Sequence, residues 1–338
     1  MKENEQMKKV SVVIPSYNRA DAAIRCAKSA FASDYSNIEV IIVDDCSAKC
    51  DVAAEVMSAF GALPNLKVLR HDRNKRVAAA RNTGARASTG EYIFFIDDDN
   101  ILAVSTIRLL VNAIDSGRCA IAAPLAVNVS SDGAKTVWAT SFEFSKWMSI
   151  PKNANANVFY DDEFAKNAAG KMFDSWYSPN GYMMRRETFD RLGGFVEWFG
   201  LYMEESDFCM RAMESGLGTC IVASAVTWHH HYNDTGDMAL RHIATAPWRG
   251  YMLQRNRLVF ALRHYRVVHV LSICLVFAPL LSVRYALTAV RHGYFAIALS
   301  FFTGYFAGLF HVLRGLFAKL LMFPLALVGM KSRCICGI

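Results

Sequence analysis

Short runs of β-branched and aromatic residues alternate with Ala-rich stretches through the first third of the chain. Val10–Ile14, Ile38–Val43, Leu66–Leu69 and Tyr92–Ile96 read as buried strands. Between and after them, Ala20–Ala32, residues 51–60, Val77–Ala87 and Ser105–Ser116 read as helices. The third helix closes on Ser88-Thr89-Gly90, a plausible C-terminal cap. This alternation predicts parallel strands with helices on both faces. Ligands of such sheets sit at the carboxyl ends of the strands. Two acidic clusters, Asp44-Asp45 and Asp97-Asp98-Asp99, fall at such ends.

The pattern then loosens. Ala120–Val127 and Lys135–Phe144 are candidate strands, Asn153–Asn157 a loop, Pro179-Asn180-Gly181 a turn and Glu187–Leu192 a short helix. Glu204–Ser215 opens with acids and stops before Gly216, as a helix prefers. Thr219–Val226 is a strand running into Trp228-His229-His230-His231. Beyond it the chain turns apolar. Val267–Val283 has 17 residues without charge, and Gly293–Leu313 has 21. At 1.5 Å per residue these reach about 25 and about 31 Å, against a hydrocarbon core of about 30 Å. Gly315–Met330 is apolar apart from Lys319. Two readings stand: a spanning hairpin, or helices lying in the membrane interface, favoured by Arg284 and Arg291 in the short connection. Arg255, Arg257, Arg263 and Arg266 before these segments, and Arg314, Lys319, Lys331 and Arg333 after them, predict that both ends are cytosolic.

Composition sharpens this division. The chain has 338 residues, 53% apolar and 20% charged, which excludes disorder. The net charge of +7 is unevenly spread. Residues 1–237 hold 30 acids and 25 bases, whereas residues 238–338 hold twelve bases and no acid. Three regions are therefore expected: 1–117 and 118–237 as the two halves of an α/β domain, and 238–338 as a basic, apolar, membrane-associating region. Nucleic acid is not an expected partner, because the bases interrupt apolar runs instead of lining a polar face. The nine cysteines are scattered and match neither a disulfide framework nor a paired zinc site, so free thiols in a reducing compartment are expected. Met1–Gln6 brings no apolar core before Val10, which predicts no secretory signal and a cytoplasmic site.

Three successive carboxylates repel one another at a strand end. A divalent cation that prefers hard oxygen ligands, Mg²⁺ or Mn²⁺, would offset that repulsion and hold a substrate diphosphate; the other reading of the acids alone is a solvated surface turn. Five segments in order sharpen the reading. They are Val12-Val-Ile-Pro-Ser-Tyr-Asn-Arg19, Ile42-Val-Asp-Asp-Cys-Ser47, and Val77–Gly84 followed by Gly90–Asp99. The last two are Asn180–Arg186 with Leu192-Gly-Gly-Phe195, and Glu204–Arg211. Over residues 9–232 the chain resembles glycosyltransferase family two, of the GT-A fold.

The resemblance implies a role for each matching residue. Pro15 and Tyr17 border the nucleotide base, and Asp45, or Asp44 beside it, accepts a hydrogen bond from it. Arg19 and Arg81 join the nucleotide set. Asp97 faces the donor sugar or ribose, Asp98 is the solvated middle position, and Asp99 ligates the metal with Asp97 and His229. Glu205 stands where the family's catalytic aspartate lies, with Glu204 as the other choice. One such carboxylate, taking the acceptor's proton, implies inversion by single displacement. His230 and His231 read as loop or packing residues. Gln254-Arg-Asn-Arg-Leu258 lacks the Trp of the processive synthases' Gln-x-x-Arg-Trp, which argues against that subclass.

The expected function is thus an inverting, metal-dependent transferase. It moves a sugar from a UDP- or dTDP-type donor to a glycan or lipid-linked acceptor in cell-surface polysaccharide synthesis. The first rival is a noncatalytic sugar-nucleotide-binding subunit of a membrane glycan assembly complex. A nucleotidyltransferase is weaker, since Pro15–Arg19 contains no glycine for a phosphate loop.

Overall fold

The computed structural model describes residues 7–149, 151–230 and 246–326. His231, Asp237, Lys331, Arg333, Cys334 and Cys336, and the end of Gly315–Met330, lie outside the described residues. The described chain forms two compact units: residues 7–143, 151–200 and 204–230, and residues 144–149, 201–203 and 246–326.

The first unit opens with β1 (Val10–Ser16), α1 (Ala20–Phe31), β2 (Ile38–Asp44), α2 (Val52–Phe60), β3 (Leu66–Arg70), α3 (Arg76–Ala87), β4 (Tyr92–Ile96), β5 (Asn100–Leu102) and α4 (Thr106–Asp115). It continues with β6 (Ile121–Val129), β7 (Lys135–Val137), β8 (Ser141–Phe144), β9 (Pro151–Ala154), α5 (Asp162–Ala168), β10 (Met172–Ser175), β11 (Gly181–Arg185), α6 (Arg186–Leu192), α7 (Glu204–Glu214) and β12 (Thr219–His230). The main sheet runs β10-β12-β6-β11-β4-β1-β2-β3, with β5 on β12 and β7 on β6. Its β4-β1-β2-β3 part is parallel, and β11 joins it antiparallel to β4 and β6. The expected mainly parallel α/β sheet with flanking helices is therefore present.

Both faces of the central strands are covered, which is why they read as continuous apolar runs. Val12, Val40, Ile42 and Phe94 pack in one core with Ala23 and Ala27 of α1, whereas Ile41 and Val43 pack against Ala80 of α3. α3 lies close because its inner face is small. A Cβ on Gly84 would stand 2.3 Å from Val13 Cγ1, so no other residue fits without displacing the strand.

Three features depart from the sequence reading. Lys135–Phe144 is two strands in different sheets, β7 on β6 and β8 on β9. β12 runs on to His230 and carries Ala223–Ala225 as a bulge, since Val222 lies opposite Pro124 and Val226 opposite Leu125. A disulfide links Cys119 to Cys220, two cysteines expected as free thiols. Cys119 stands just before β6 and Cys220 on its parallel neighbour β12, opposite Ala122, an adjacency that sequence spacing does not encode. Cys26, Cys46, Cys50, Cys209 and Cys274 are free thiols.

The second unit is helical: α8 (Pro247–His264), α9 (Val267–Ser272), a π turn at Ile273–Phe277, α10 (Ala278–Arg291) and α11 (Phe295–Ala326). Leu258, Ala261, Ile273, Cys274 and Val312 form one apolar core, and Ala289, Ile297 and Phe301 another. Val267–Arg291 and Phe295–Ala318 are long and apolar enough to cross a membrane. Gly315 does not divide α11, because it packs against Leu262 of α8. Asn256 Nδ2 donates to the carbonyls of Leu201 (2.8 Å) and Tyr202 (2.9 Å). It thereby holds a segment in which Tyr202 and Met203 both take left-handed backbone angles, φ 68° and 71°.

Candidate active site

The strand ends deliver the acids. β4 ends at Ile96, so Asp97, Asp98 and Asp99 follow at its carboxyl end, and the Asp97 amide is fixed on the Asn180 carbonyl (3.0 Å). α7 begins at Glu204, so Glu204 and Glu205 occupy its first turn. Arg81 of α3 joins the two groups. Its Nη2 donates to Asp97 Oδ1 (2.7 Å) and pairs with Glu205 Oε1 (2.6 Å), while Nη1 donates to Glu204 Oε1 (3.1 Å). The guanidinium is 2% exposed and lies over the rings of Tyr182 and Phe195. A planar fork with several fixed donors suits three convergent carboxylates better than an ammonium does.

One guanidinium cannot neutralise three carboxylates. Burial, opposed by Arg81 and reinforced by Glu204 and Asp97, pushes Glu205 up to about 8. Burial also raises Glu204 and Asp97, again against the pull of Arg81. Three buried polar atoms here, Tyr182 OH, Arg81 Nε and Glu204 Oε2, have no hydrogen-bond partner among the described residues. Native interiors rarely leave such groups unmet.

A second acidic group lies beside the first. Arg19 pairs with Asp98 and donates to Asp99 Oδ2 (2.9 Å). Asp98 is 2% exposed, not the solvated middle acid expected, and burial pushes it up to about 8 despite Arg19. His229 is buried, stacked on Trp138, with Nδ1 3.0 Å from Asn128 Oδ1. With Asn128 accepting, Nδ1 carries a proton. Nε2 stands 3.6 Å from Asp99 Oδ1. When the imidazole is protonated the two groups form an ion pair; when it is neutral, Nε2 and Asp99 could share a cation, with Asn128 the outer partner that orients the ring.

Among the described residues, no three His, Cys, Asp or Glu side chains converge to hold a metal. Asp97, expected as a third ligand, is instead turned to Arg81. Two protein donors still suit Mg²⁺ or Mn²⁺, which commonly take one or two side chains and complete their shell with water and substrate phosphate.

The remaining expected residues lie at the ends of β1 and β2. Pro15 is buried and registers with Val43, whereas Tyr17 is 43% exposed. Asn18, in left-handed conformation, accepts from the Ala48 and Lys49 amides and so ties the two loops together. Asp44 is held by Arg70 (2.6 Å) and the Ser47 amide (2.9 Å). Asp45 accepts from His71 Nδ1 (2.7 Å) and from the amides of Lys75 and Arg76, both 2.7 Å, at the start of α3. Its oxygens thus order the helix that carries Arg81. Asp45→Ala is expected to cost about 1.5–3 kcal/mol, read as a lower urea midpoint at unchanged slope. His71, Asn128 and Trp138 lie in none of the five sequence segments, whereas Tyr182 falls inside Asn180–Arg186. His71 bridges Asp45 and Thr83, but its partners are 26 and 12 residues away.

A family model described as Glycosyl transferase family 2 matches residues 11–194. The chain is 30% identical over 156 residues to the succinoglycan biosynthesis protein ExoO of Rhizobium meliloti (strain 1021), covering 46% of this chain and 44% of that one. It is 40% identical over 91 residues to the putative colanic acid biosynthesis glycosyl transferase WcaA of Escherichia coli (strain K12), covering 27% and 32%. The chain thus spans less than half the length of either relative. The crystal structure of GalNAc-T7 with UDP, GalNAc and Mn²⁺ matches with a TM-score of 0.55 at 18% identity, over 75% of this chain and 51% of that one. That of S. aureus TarS 1-349 in complex with UDP matches at 0.51 and 17%, over 83% and 73%. These two likenesses show the fold, which is GT-A.

Proposed function

The chain belongs to glycosyl transferase family 2, and on that premise we propose that it is an inverting glycosyltransferase, using a UDP- or dTDP-type sugar donor and a glycan or lipid-linked acceptor at a membrane. The observation that carries this is the Arg81 hub. It brings a strand-end carboxylate, Asp97, against the first turn of α7, where Glu205 is poised with a raised pKa.

In this reading Glu205 is the base. The acceptor oxygen bonds to the anomeric carbon as the bond to the nucleoside diphosphate breaks with its electron pair, and the acceptor's proton passes to Glu205. A single carboxylate on the acceptor side, without a covalent intermediate, gives inversion. Asp97 and Tyr182 orient sugar hydroxyls, which would satisfy the buried polar atoms around Arg81. Arg19, half-exposed beside Asp98 and Asp99, meets the diphosphate. Tyr17 and the loop held by Asn18 border the base, with Asp44 and Asp45 behind. Asp99 and His229 would hold a divalent cation, which when bound supplies charge neutralisation to the departing diphosphate. Relatives named for succinoglycan and colanic acid biosynthesis support a role in polysaccharide synthesis, and the apolar helices support a membrane-presented acceptor. The arginines flanking those helices support a cytoplasmic site.

The test is nucleoside diphosphate release from UDP-, dTDP- and GDP-sugars with Mn²⁺, using the full chain in membranes or detergent. Asp99→Ala should raise the Mn²⁺ concentration for half-maximal rate by at least about tenfold. Wild-type transfer by that variant would remove Asp99 from the metal set. Donor binding without turnover on any acceptor would favour a noncatalytic sugar-nucleotide-binding subunit.

A further inference from the structure

The helical unit carries a contradiction that its apolar stretches alone conceal. α11 is long enough to cross a bilayer, but α8 lies along it at backbone contact. A Cβ on Gly304 would sit 2.3 Å from the Tyr251 carbonyl oxygen, and one on Gly308 3.1 Å from that of Arg255. Gly250 meets Ser300, and Gly315 meets Leu262. The contacts advance together along both helices, so α8 from 250 to 262 runs parallel to α11 from 300 to 315. That is about 22 Å of α11, the middle of its apolar stretch.

α8 is no membrane helix. It carries Arg249, Arg255, Arg257 and Arg263. Arg257 is buried against Gln254 Oε1 (2.9 Å) and lies over the Tyr285 ring. If α11 stood upright in a bilayer, Arg255, level with Gly308, would be carried to mid-depth, and Arg249 and Arg263 would follow within the hydrocarbon. Charged side chains at that depth are strongly disfavoured, and the glycine contacts leave α8 no freedom to slide toward either surface.

We propose that α9, α10 and α11 lie in the plane of a single anionic leaflet and do not cross it. Leu275, Phe306, Phe310 and Phe317, each more than 60% exposed, enter the acyl region. Arg249, Arg255 and Arg263 of α8, with Arg284 and Arg291, stay at headgroup level, where Arg stems lie along apolar surface and the charges reach lipid phosphate, while Arg257 stays buried in the helical unit. The absence of acids from residues 238–338 matches a negatively charged surface. This deepens the membrane-association reading above.

Topology decides it. His292, exposed in the turn between α10 and α11, is replaced by cysteine, and Met57, exposed on α2, is replaced by cysteine as a marker of the first unit's side. Sealed membranes of each orientation are treated with an impermeant maleimide, with the parent chain as background. His292→Cys should react only from the side where Met57→Cys reacts, or from neither. Reaction from the opposite side would establish a spanning hairpin and overturn the proposal, leaving membrane association intact. A chain that does not sediment with membranes would overturn both. In a second arm, the purified full chain should bind phosphatidylcholine vesicles containing phosphatidylglycerol at least about tenfold more tightly than phosphatidylcholine alone, and added salt should erase the difference. Equal binding would overturn the anionic leaflet as the partner.

Discussion

Glu205→Gln is expected to lower kcat by about 10²–10⁴-fold with little change in donor KM, the loss appropriate to a general base. The same substitution should raise stability. A free glutamate titrates near 4.5, whereas burial and the neighbouring acids push Glu205 up to about 8 in the folded chain. The folded state therefore keeps the proton longer than the unfolded state. The contribution of Glu205 is fully favourable below about pH 4.5 and is lost as pH rises toward 8. Glutamine stays neutral throughout, so the variant's Tm should exceed the parent's by a margin that widens over that window. Catalysis follows the opposite sign. A base must be ionised, so kcat/KM should climb about tenfold per pH unit below about 8 and level off above it. An acid limb near pH 4–5, or a Glu205→Gln variant that transfers sugar at the parental rate, would remove Glu205 from this role.

Arg81→Met should cost about 3–5 kcal/mol at pH 8, because it leaves Asp97, Glu204 and Glu205 buried around an apolar side chain. At pH 5 the cost should shrink. All three acids are already raised in the intact site, and without the guanidinium they take up protons more readily. Arg81→Lys should fall between, since an ammonium cannot present two nitrogens to three carboxylates at once. Urea midpoints at the two pH values make the comparison. An equal loss at both would assign the effect to packing over Tyr182 and Phe195, not to charge.

The part of the fold legible in sequence is the part whose burial is uniform. β1, β2 and β4 are covered on both faces, so each announces itself as an unbroken apolar run. α7 is legible for a different reason, since acids at its start and Gly216 after its end obey the helix dipole and cap. What escaped depends on contacts distant in the chain. Lys135–Phe144 has strand composition throughout, yet it divides after Val137, where Trp138 stacks on His229. Asp98 looks solvated from its neighbours alone, but it is buried and paired with Arg19, far away in sequence. The apolar segments on either side of Arg314 look separate because a charge interrupts them, yet α11 runs through that point with Gly315 seated against Leu262.

The bulge in β12 makes the site sensitive to chain length. Ala223–Ala225 are extra residues set against none on β6, and they fix the phase in which the rest of the strand emerges. His229 consequently stands opposite Asn128, with Asp99 beside it. A strand presents alternate side chains to alternate faces, so one residue lost from the bulge brings His230 into the place of His229, and one gained brings Trp228. Homologous chains that differ in length at this point would therefore change the metal-facing side chain without any substitution at the site. Insertions and deletions there act as point mutations, and the run of histidines makes a deletion the milder of the two.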